Sequence, residues 1–215
     1  MRRLVCMKPH DAIPGLSLQI DCHRVRWPGG VELVSGVLFT VGHSNHSVER
    51  FLELLRQHAI EVVADVRSVP YSQYAPQFNR ETLEHSLREA GIRYVFMGEE
   101  FGARRKEPEC YTTNRQVDFA KVVQTSAFQR GVERITRGVA QYRIALMCAE
   151  REPLDCHRTI LVSRHLSEIG FAIAHIKDDG SLESQAEAER RLIKEHKADQ
   201  RNLFSENSPR DQAYE

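Results

Sequence analysis

The sequence predicts an α/β fold: a single Rossmann-like domain with a mostly parallel sheet of about five strands and helices on both faces. Short apolar runs recur at 37–41, 62–66, 92–96, 143–148 and 171–176, and stretches of helical spacing separate them. That alternation of buried strands with crossover helices is the pattern of a parallel sheet covered on both sides. A chain of 215 residues fits one such domain with decorations more easily than two full domains. Its 41% hydrophobic and 28% charged residues suit a globular protein with a sizeable core and a charged surface.

Residues 1–36 carry Pro9, Pro14 and Pro28 and no sustained period, so they are expected to form an irregular N-terminal extension. Cys6, His10, Cys22 and His23 match no zinc-ligand spacing. The α/β domain is assigned to 37–180. Its first strand, Val37 to Val41, leads through the turn Gly42-His-Ser-Asn45 to a helix capped by Ser47. Val48, Phe51, Leu52, Leu55 and Ala59 are placed on the buried face of that helix. Val62 to Val66 is the second strand, and the loops at 42–45 and 67–72 are expected to face each other at its carboxyl edge. Arg80 to Ala90 follows as a helix with Leu83 and Leu87 inward, stopped by Gly91, and Ile92 to Phe96 is the third strand. Met97 to Asn114 has no clear period; a loop of that length in a compact domain is usually functional or mobile, and it is a candidate lid. Val117 to Gln141 reads as helix broken near Ser126, and Arg143 to Cys148 as the fourth strand. A helix from Cys156 to Ile169, capped by Asp155, precedes the Gly170 stop and the fifth strand, Phe171 to Ile176. Residues 181–215 are assigned to a C-terminal helix and tail. The charges of 183–197 read there as a solvated face around a narrow stripe of Ala186, Leu192 and Ile193.

Chemistry-bearing residues gather at the strand ends. Cys148, Glu150, Asp155, Cys156, His157 and Arg158 fall within eleven positions of one strand-to-helix turn, and ligands of open parallel sheets bind outside the carboxyl ends of the strands. Gly42, His43, Ser44 and Asn45 come to that edge from the first strand, Asp65, Arg67 and Ser72 from the second, Arg104 from the third and His175 from the fifth. Each also has a plain structural role to offer. Cysteine packs as a small hydrophobe, Gly42 can serve a positive-φ turn, Asn45 suits any turn, a buried Asp65 needs a partner such as Arg67, and His43 or His175 can be a satisfied interior histidine.

Thr40-Val-Gly-His-Ser-Asn45, Asp65-Val-Arg-Ser-Val-Pro-Tyr-Ser72, Leu146-Met-Cys-Ala-Glu150, Cys156-His-Arg158 and His175-Ile176 resemble, in order and spacing, the bacterial and archaeal family of uncharacterised proteins called DUF488. The resemblance runs from about Val37 to the C-terminus. It implies a compact α/β domain with these motifs clustered, and it implies no agreed reaction. Three places depart from the family pattern: residues 1–36 have no counterpart in most members, Gln73 stands where a basic residue commonly follows the serine, and Gly98-Glu-Glu-Phe-Gly102 replaces a double glycine.

Three functions suit this residue set. The first is a cysteine-dependent enzyme for a phosphate-bearing or nucleotide-like substrate. In it Cys148 or Cys156 is the nucleophile, His157, His43 and Glu150 handle protons, and Gly42, Ser44, Asn45, Asp65, Arg67, Ser72, Arg104 and Arg158 form the substrate or anion site. The loop is not that of a cysteine phosphatase, because Cys-x5-Arg would need arginine at Leu154. The second is a binding or sensor module for a nucleotide or nucleic-acid end, with Arg104-Arg-Lys106 gripping phosphate and Tyr71, Tyr74 or Tyr111 stacking a base. The third is a zinc site of Cys148, Cys156 and His157 with His43 or His175.

Thirty basic and thirty acidic residues give no net charge, so the sequence supports a small anionic ligand but not extended nucleic-acid binding. It names no cofactor and no oligomeric state. Five irregularly spaced cysteines make no disulfide framework, and no signal or membrane-spanning run is present, so a reducing cytoplasm without a membrane partner is expected.

Overall fold

Strand after strand, alternate side chains enter two separate cores. Phe39, Val41, Val63, Ala145 and Met147 point to one face of the sheet, while Leu38, Val62, Ala64, Ile144, Leu146 and Cys148 point to the other. This period of two places Cys148 at the end of an apolar stripe already committed to one layer. The computed structural model describes residues 36–195, together with the backbone of an antiparallel pair of two-residue strands, β1 (Val25–Arg26) and β2 (Glu32–Leu33). Most of the expected irregular extension, and the tail beyond residue 195, lie outside the described residues.

The main sheet has six strands: β3 (Val37–Gly42), β4 (Val62–Asp65), β5 (Arg93–Phe96), β6 (Ile144–Cys148), β7 (Ala172–Ile176) and β8 (Leu182–Ser184). They stand in the order β5-β4-β6-β3-β7-β8, all parallel except β8, which runs antiparallel to β7. The α/β class, the five parallel strands and the two helical layers agree with the sequence reading. The order adds what the pattern did not give: β6 lies between β3 and β4, so Cys148 ends the strand between the two loops expected to face each other, and those loops still meet, Arg67 Nη1 lying 3.2 Å from His43 Nε2.

On one face pack α1 (Val48–Gln57), through Phe51, Leu54 and Leu55, and α2 (Arg80–Glu89), through Leu83 and Leu87. Ser47 caps α1 as expected, its Oγ accepting from the Arg50 N–H at 3.2 Å. Leu54 takes the buried place that was assigned to Ala59, which lies exposed beyond the helix at φ +51°. The other face carries α3 (Gly98–Phe101), α4 (Phe119–Val122), α5 (Ser126–Val139) and α6 (Arg164–Glu168), with Phe101, Val122, Phe128, Val132, Ile135 and Leu166 inward. Helix α5 begins at the predicted break, where Thr125 Oγ1 accepts from the Phe128 N–H. The expected long loop at 97–114 contains α3 and a 3-10 turn at Pro108–Cys110, and it is anchored by buried Phe101, Arg105 and Cys110.

Two elements near the C-terminus differ from expectation. Leu182-Glu-Ser184 is too short and polar to show a strand period, yet it pairs with β7. Helix α7 (Gln185–Glu195) buries Ala188 and Leu192 against Leu154, while Ala186 is exposed. Its Arg191 reaches Glu152 at 2.6 Å and Glu183 at 2.9 Å, so charges read as a solvated face hold α7 to the loop that follows β6. Among the described residues no helix is long and apolar enough to cross a membrane.

Candidate metal centre

The loop after β6 turns back immediately, and its geometry explains the residues around it. A side chain at Gly42 would place Cβ 1.9 Å from the Glu150 carbonyl oxygen. Glycine is therefore required by close approach; Gly42 is not among the positive-φ residues, which corrects the turn reading. The His43 and Ser44 N–H groups donate to the Cys148 and Ala149 carbonyls at 2.9 Å each, extending the β3–β6 ladder into the loops. Residues Pro153–Asp155 form a 3-10 turn, with Glu152 accepting from the Leu154 N–H. The expected Asp155 cap is absent because Cys156 comes next in extended conformation (φ −126°, ψ 134°). Cys156 itself starts the helix. Its carbonyl accepts from the Thr159 and Ile160 N–H groups, and its Sγ accepts from the Arg158 N–H at 3.4 Å. The first helical stretch is a π-helix at Arg158–Ser163, a form concentrated at functional sites, and α6 begins only after it.

Cys148 from the strand end, Glu150 from the loop, and Cys156 and His157 from the helix start bring one donor atom each into a group whose members all lie within 4.8 Å of one another. The Cys148 Sγ is 3.7 Å from His157 Nδ1, and the Cys156 thiol donates to Glu150 Oε2 at 2.9 Å. His157 Nε2 lies 3.1 Å from the Val66 carbonyl, so it carries the proton and leaves the Nδ1 lone pair toward the sulfurs. Cys148 and Cys156 are 2% and 1% exposed, whereas Glu150 is on the surface. The cluster therefore meets solvent on the Glu150 side.

The charges are strongly interdependent. The hydrogen bond with Cys156, followed by burial and the negative charges of Cys156 and Glu150, pushes the Cys148 thiol well up. Burial also raises the Cys156 thiol, but hydrogen bonds with Cys148 and His157 and the charges of Arg158 and His157 outweigh it and bring it down. Burial would discharge His157; its hydrogen bond to Cys156 and the charge there overcome this and raise it. Glu150 is raised by burial and lowered further by hydrogen bonds from the two thiols, ending below the ordinary range. Of the two thiols, Cys156 is thus the more acidic and Cys148 the less, beside a Glu150 carboxyl held below its usual range.

The other predicted residues form a neighbouring network. Arg67 donates from Nε and Nη2 to Asp65 at 2.9 and 2.6 Å, from Nη2 to the Phe78 carbonyl at 2.9 Å and from Nη1 to His43 Nε2 at 3.2 Å. Tyr94 Oη donates to Asp65 Oδ2 at 2.8 Å. Burial, with Arg67 nearby, lowers the His43 pKa to about 4; the ring stacks on Phe78 at 4.3 Å and donates from Nδ1 to the Ser44 carbonyl. His43 is a neutral, satisfied interior histidine. Arg158 is fully buried, and its Nη1 and Nη2 donate to the Glu150 and Arg151 carbonyls at 2.6 and 3.2 Å. It was expected to hold an anion, but the geometry makes it the clamp that fixes Glu150. Ser44 and Asn45 bond each other in an exposed turn, and Ser72 bonds Asn79 and Tyr74 in the β4–α2 loop. Arg104 lines a separate cavity.

His175 also stands apart from the cluster. Its ring accepts at Nδ1 from Thr40 Oγ1 (2.8 Å) and donates from Nε2 to Gln185 Oε1 (3.0 Å), and burial lowers its pKa to about 3. A folded pKa below the unfolded value of about 6.5 means that only the unfolded chain gains this proton between pH 6.5 and 3. The contribution is complete above pH 6.5 and declines as pH falls. Denaturant titrations of metal-free protein should show His175→Gln losing less stability on acidification than the wild type, by up to about 1.4 kcal/mol per pH unit in that window. Parallel pH profiles would show that the ring is not buried neutral.

Sequence reasoning grouped Cys148, Cys156 and His157 correctly, but for a metal it paired them with His43 or His175. The fourth donor is Glu150, which was read as a proton carrier, and the Val66 carbonyl that orients His157 gave no signal because it is backbone. Comparison with curated proteins and with solved structures returned no match. The family model described as Domain of unknown function DUF488 matches residues 47–165, more than half of the chain and including all four members of the cluster, and the chain therefore belongs to the DUF488 family.

Proposed function

We propose that this chain is a zinc-binding protein whose ion is held by Cys148, Glu150, Cys156 and His157. The observation that carries the reading is the convergence of four donor atoms within 4.8 Å from three successive pieces of backbone. The donor set is the second support. Two thiolates, an imidazole and a carboxylate suit zinc and do not suit magnesium or calcium, which take oxygen ligands. His157 is held by the Val66 carbonyl in the way metal-bound histidines are usually oriented. Charge balance is the third. Buried Arg158 has no carboxylate at ion-pair distance among the described residues, whereas two thiolates, one carboxylate and a divalent ion sum to one negative charge beside it. When bound, the ion supplies a Lewis acid at the carboxyl edge of the sheet, and exposed Glu150 is the donor that a ligand from solution can reach.

A thiol-dependent reaction is the second reading, favoured by the lowered thiol of Cys156 beside His157. Burial weighs against it, since reactive cysteines are usually partly exposed and both sulfurs here are almost fully covered. Alkylation separates the two. After chelation, iodoacetamide should modify Cys156 at a rate slowed by its burial but still measurable, and stoichiometric zinc should slow it at least tenfold while leaving Cys110 unchanged, because a coordinated thiolate has its lone pair engaged. Equal rates with and without zinc would remove the metal reading and leave the nucleophile.

A further inference from the structure

A second feature of the same sheet edge takes no part in the cysteine cluster. A cavity of about 330 Å3 lies between Ser68 of the β4–α2 loop, the segment from Gly98 to Glu107, and the first turns of α5. That volume falls within the roughly 300–1,000 Å3 range of small-molecule sites. We propose that it binds a small phosphate-bearing ligand, held by Arg104, Arg105, Lys106 and Arg130.

The sign of the lining points to an anion. Arg104, Lys106 and Arg130 line the cavity with no carboxylate at ion-pair distance among the described residues; Arg130 Nη1 donates only to Ser126 Oγ, at 3.3 Å. Of the two acids in the wall, Glu107 is already engaged by Arg105 at 2.7 Å, which leaves Glu99 against three uncommitted cations. A guanidinium presents paired donors that match phosphate oxygens, and such charge-assisted bonds are stronger than neutral ones.

Arg105 supplies an independent indication. It is 8% exposed, and its Nη atoms donate to Glu107 and to the Glu99 and Glu100 carbonyls, yet its buried Nε–H has no partner. An unsatisfied buried donor costs about 1–3 kcal/mol, a cost that an oxygen acceptor on a bound ligand would relieve. The backbone is arranged to keep these groups together. Ser68 Oγ accepts from the Arg104 N–H at 2.9 Å, and Tyr111 Oη both accepts from the Arg105 N–H and donates to its carbonyl. A Cβ on Gly102 would sit 2.5 Å from Ser68 Oγ, so glycine lets the segment close on Ser68. Phe96, under the Arg80 guanidinium at 5.0 Å, adds an apolar wall. The zero net charge of the chain fits a compact phosphate ligand better than an extended polyanion.

The test is calorimetric titration of the full chain with inorganic triphosphate and with ATP at low ionic strength. Wild type should bind at one site per chain, with affinity falling as salt rises. Arg104→Ala combined with Lys106→Ala, both exposed side chains, should keep the fold and weaken binding at least tenfold. Cys148→Ser with Cys156→Ser should bind as the wild type does, which separates this site from the metal centre. ATP binding more tightly than triphosphate would assign a nucleotide, and equal affinities would assign the phosphate chain alone; either supports the site. No saturable binding by wild type, or equal affinity in the Arg104/Lys106 double variant, would overturn it.

Discussion

Saturating the protein with zinc should raise its melting temperature by about 8–16 °C. An ion that binds the folded chain at a concentration a thousandfold above its dissociation constant adds about 4 kcal/mol, and each kcal/mol moves a domain of this size by roughly 2–4 °C. The folded state already assembles the four donors, so the binding energy adds to stability without a large rearrangement. Calorimetric melting with and without a chelator gives the shift, and Cys156→Ser should abolish it because the helix-start sulfur is lost from the set. An unchanged melting temperature in wild type would mean that the cluster does not take the ion.

Replacing Asp65 by Ala should cost about 3–5 kcal/mol, the usual effect of removing one partner from a buried ion pair. Asp65 is fully buried and accepts from the Arg67 backbone N–H, from Arg67 Nε and Nη2 and from Tyr94 Oη. Without it the guanidinium remains buried beside neutral His43 with no carboxylate to oppose it, and the β4 end loses its turn. Tyr94→Phe removes one of these bonds and should cost about 0.5–1.5 kcal/mol. Urea denaturation with an unchanged slope measures both. A loss below about 1 kcal/mol for Asp65→Ala would show that the loop relaxes to admit water to Arg67, and that the network does not hold the strand end as rigidly as its burial implies.

Periodicity made the strands legible because each core face is filled by alternate residues, and the same alternation carried Cys148 to its place behind Ile144 and Leu146. Ser47, with its free side-chain oxygen, showed where α1 begins, and the break read near Ser126 falls where Thr125 caps α5. Strand order was not legible. Inserting β6 between β3 and β4 depends on contacts distant in sequence, which no local pattern records. Asp155 misled for a local reason: Pro153–Asp155 coils into a 3-10 turn first, so a sulfur rather than a carboxylate meets the first helical N–H groups. Arg158 and Arg67 looked like anion anchors because a guanidinium clamping carbonyls or a carboxylate has the same sequence signature as one facing solvent. Glu150 was visible as a reactive neighbour, but its place as fourth donor follows from the tight return of the loop over Gly42.

Cobalt(II) titration of the chelated, reduced protein tests the metal centre most directly, because cobalt substitutes for zinc and absorbs when thiolates bind it. One cobalt per chain should produce sulfur-to-metal charge-transfer absorption together with the visible bands of a four-coordinate ion, and one equivalent of zinc should erase both. Cys148→Ser with Cys156→Ser should remove the charge-transfer band, and His157→Ala should weaken cobalt binding. No charge-transfer band in wild type, or the same spectrum in the double-serine variant, would contradict the assignment of Cys148, Glu150, Cys156 and His157 as a metal site.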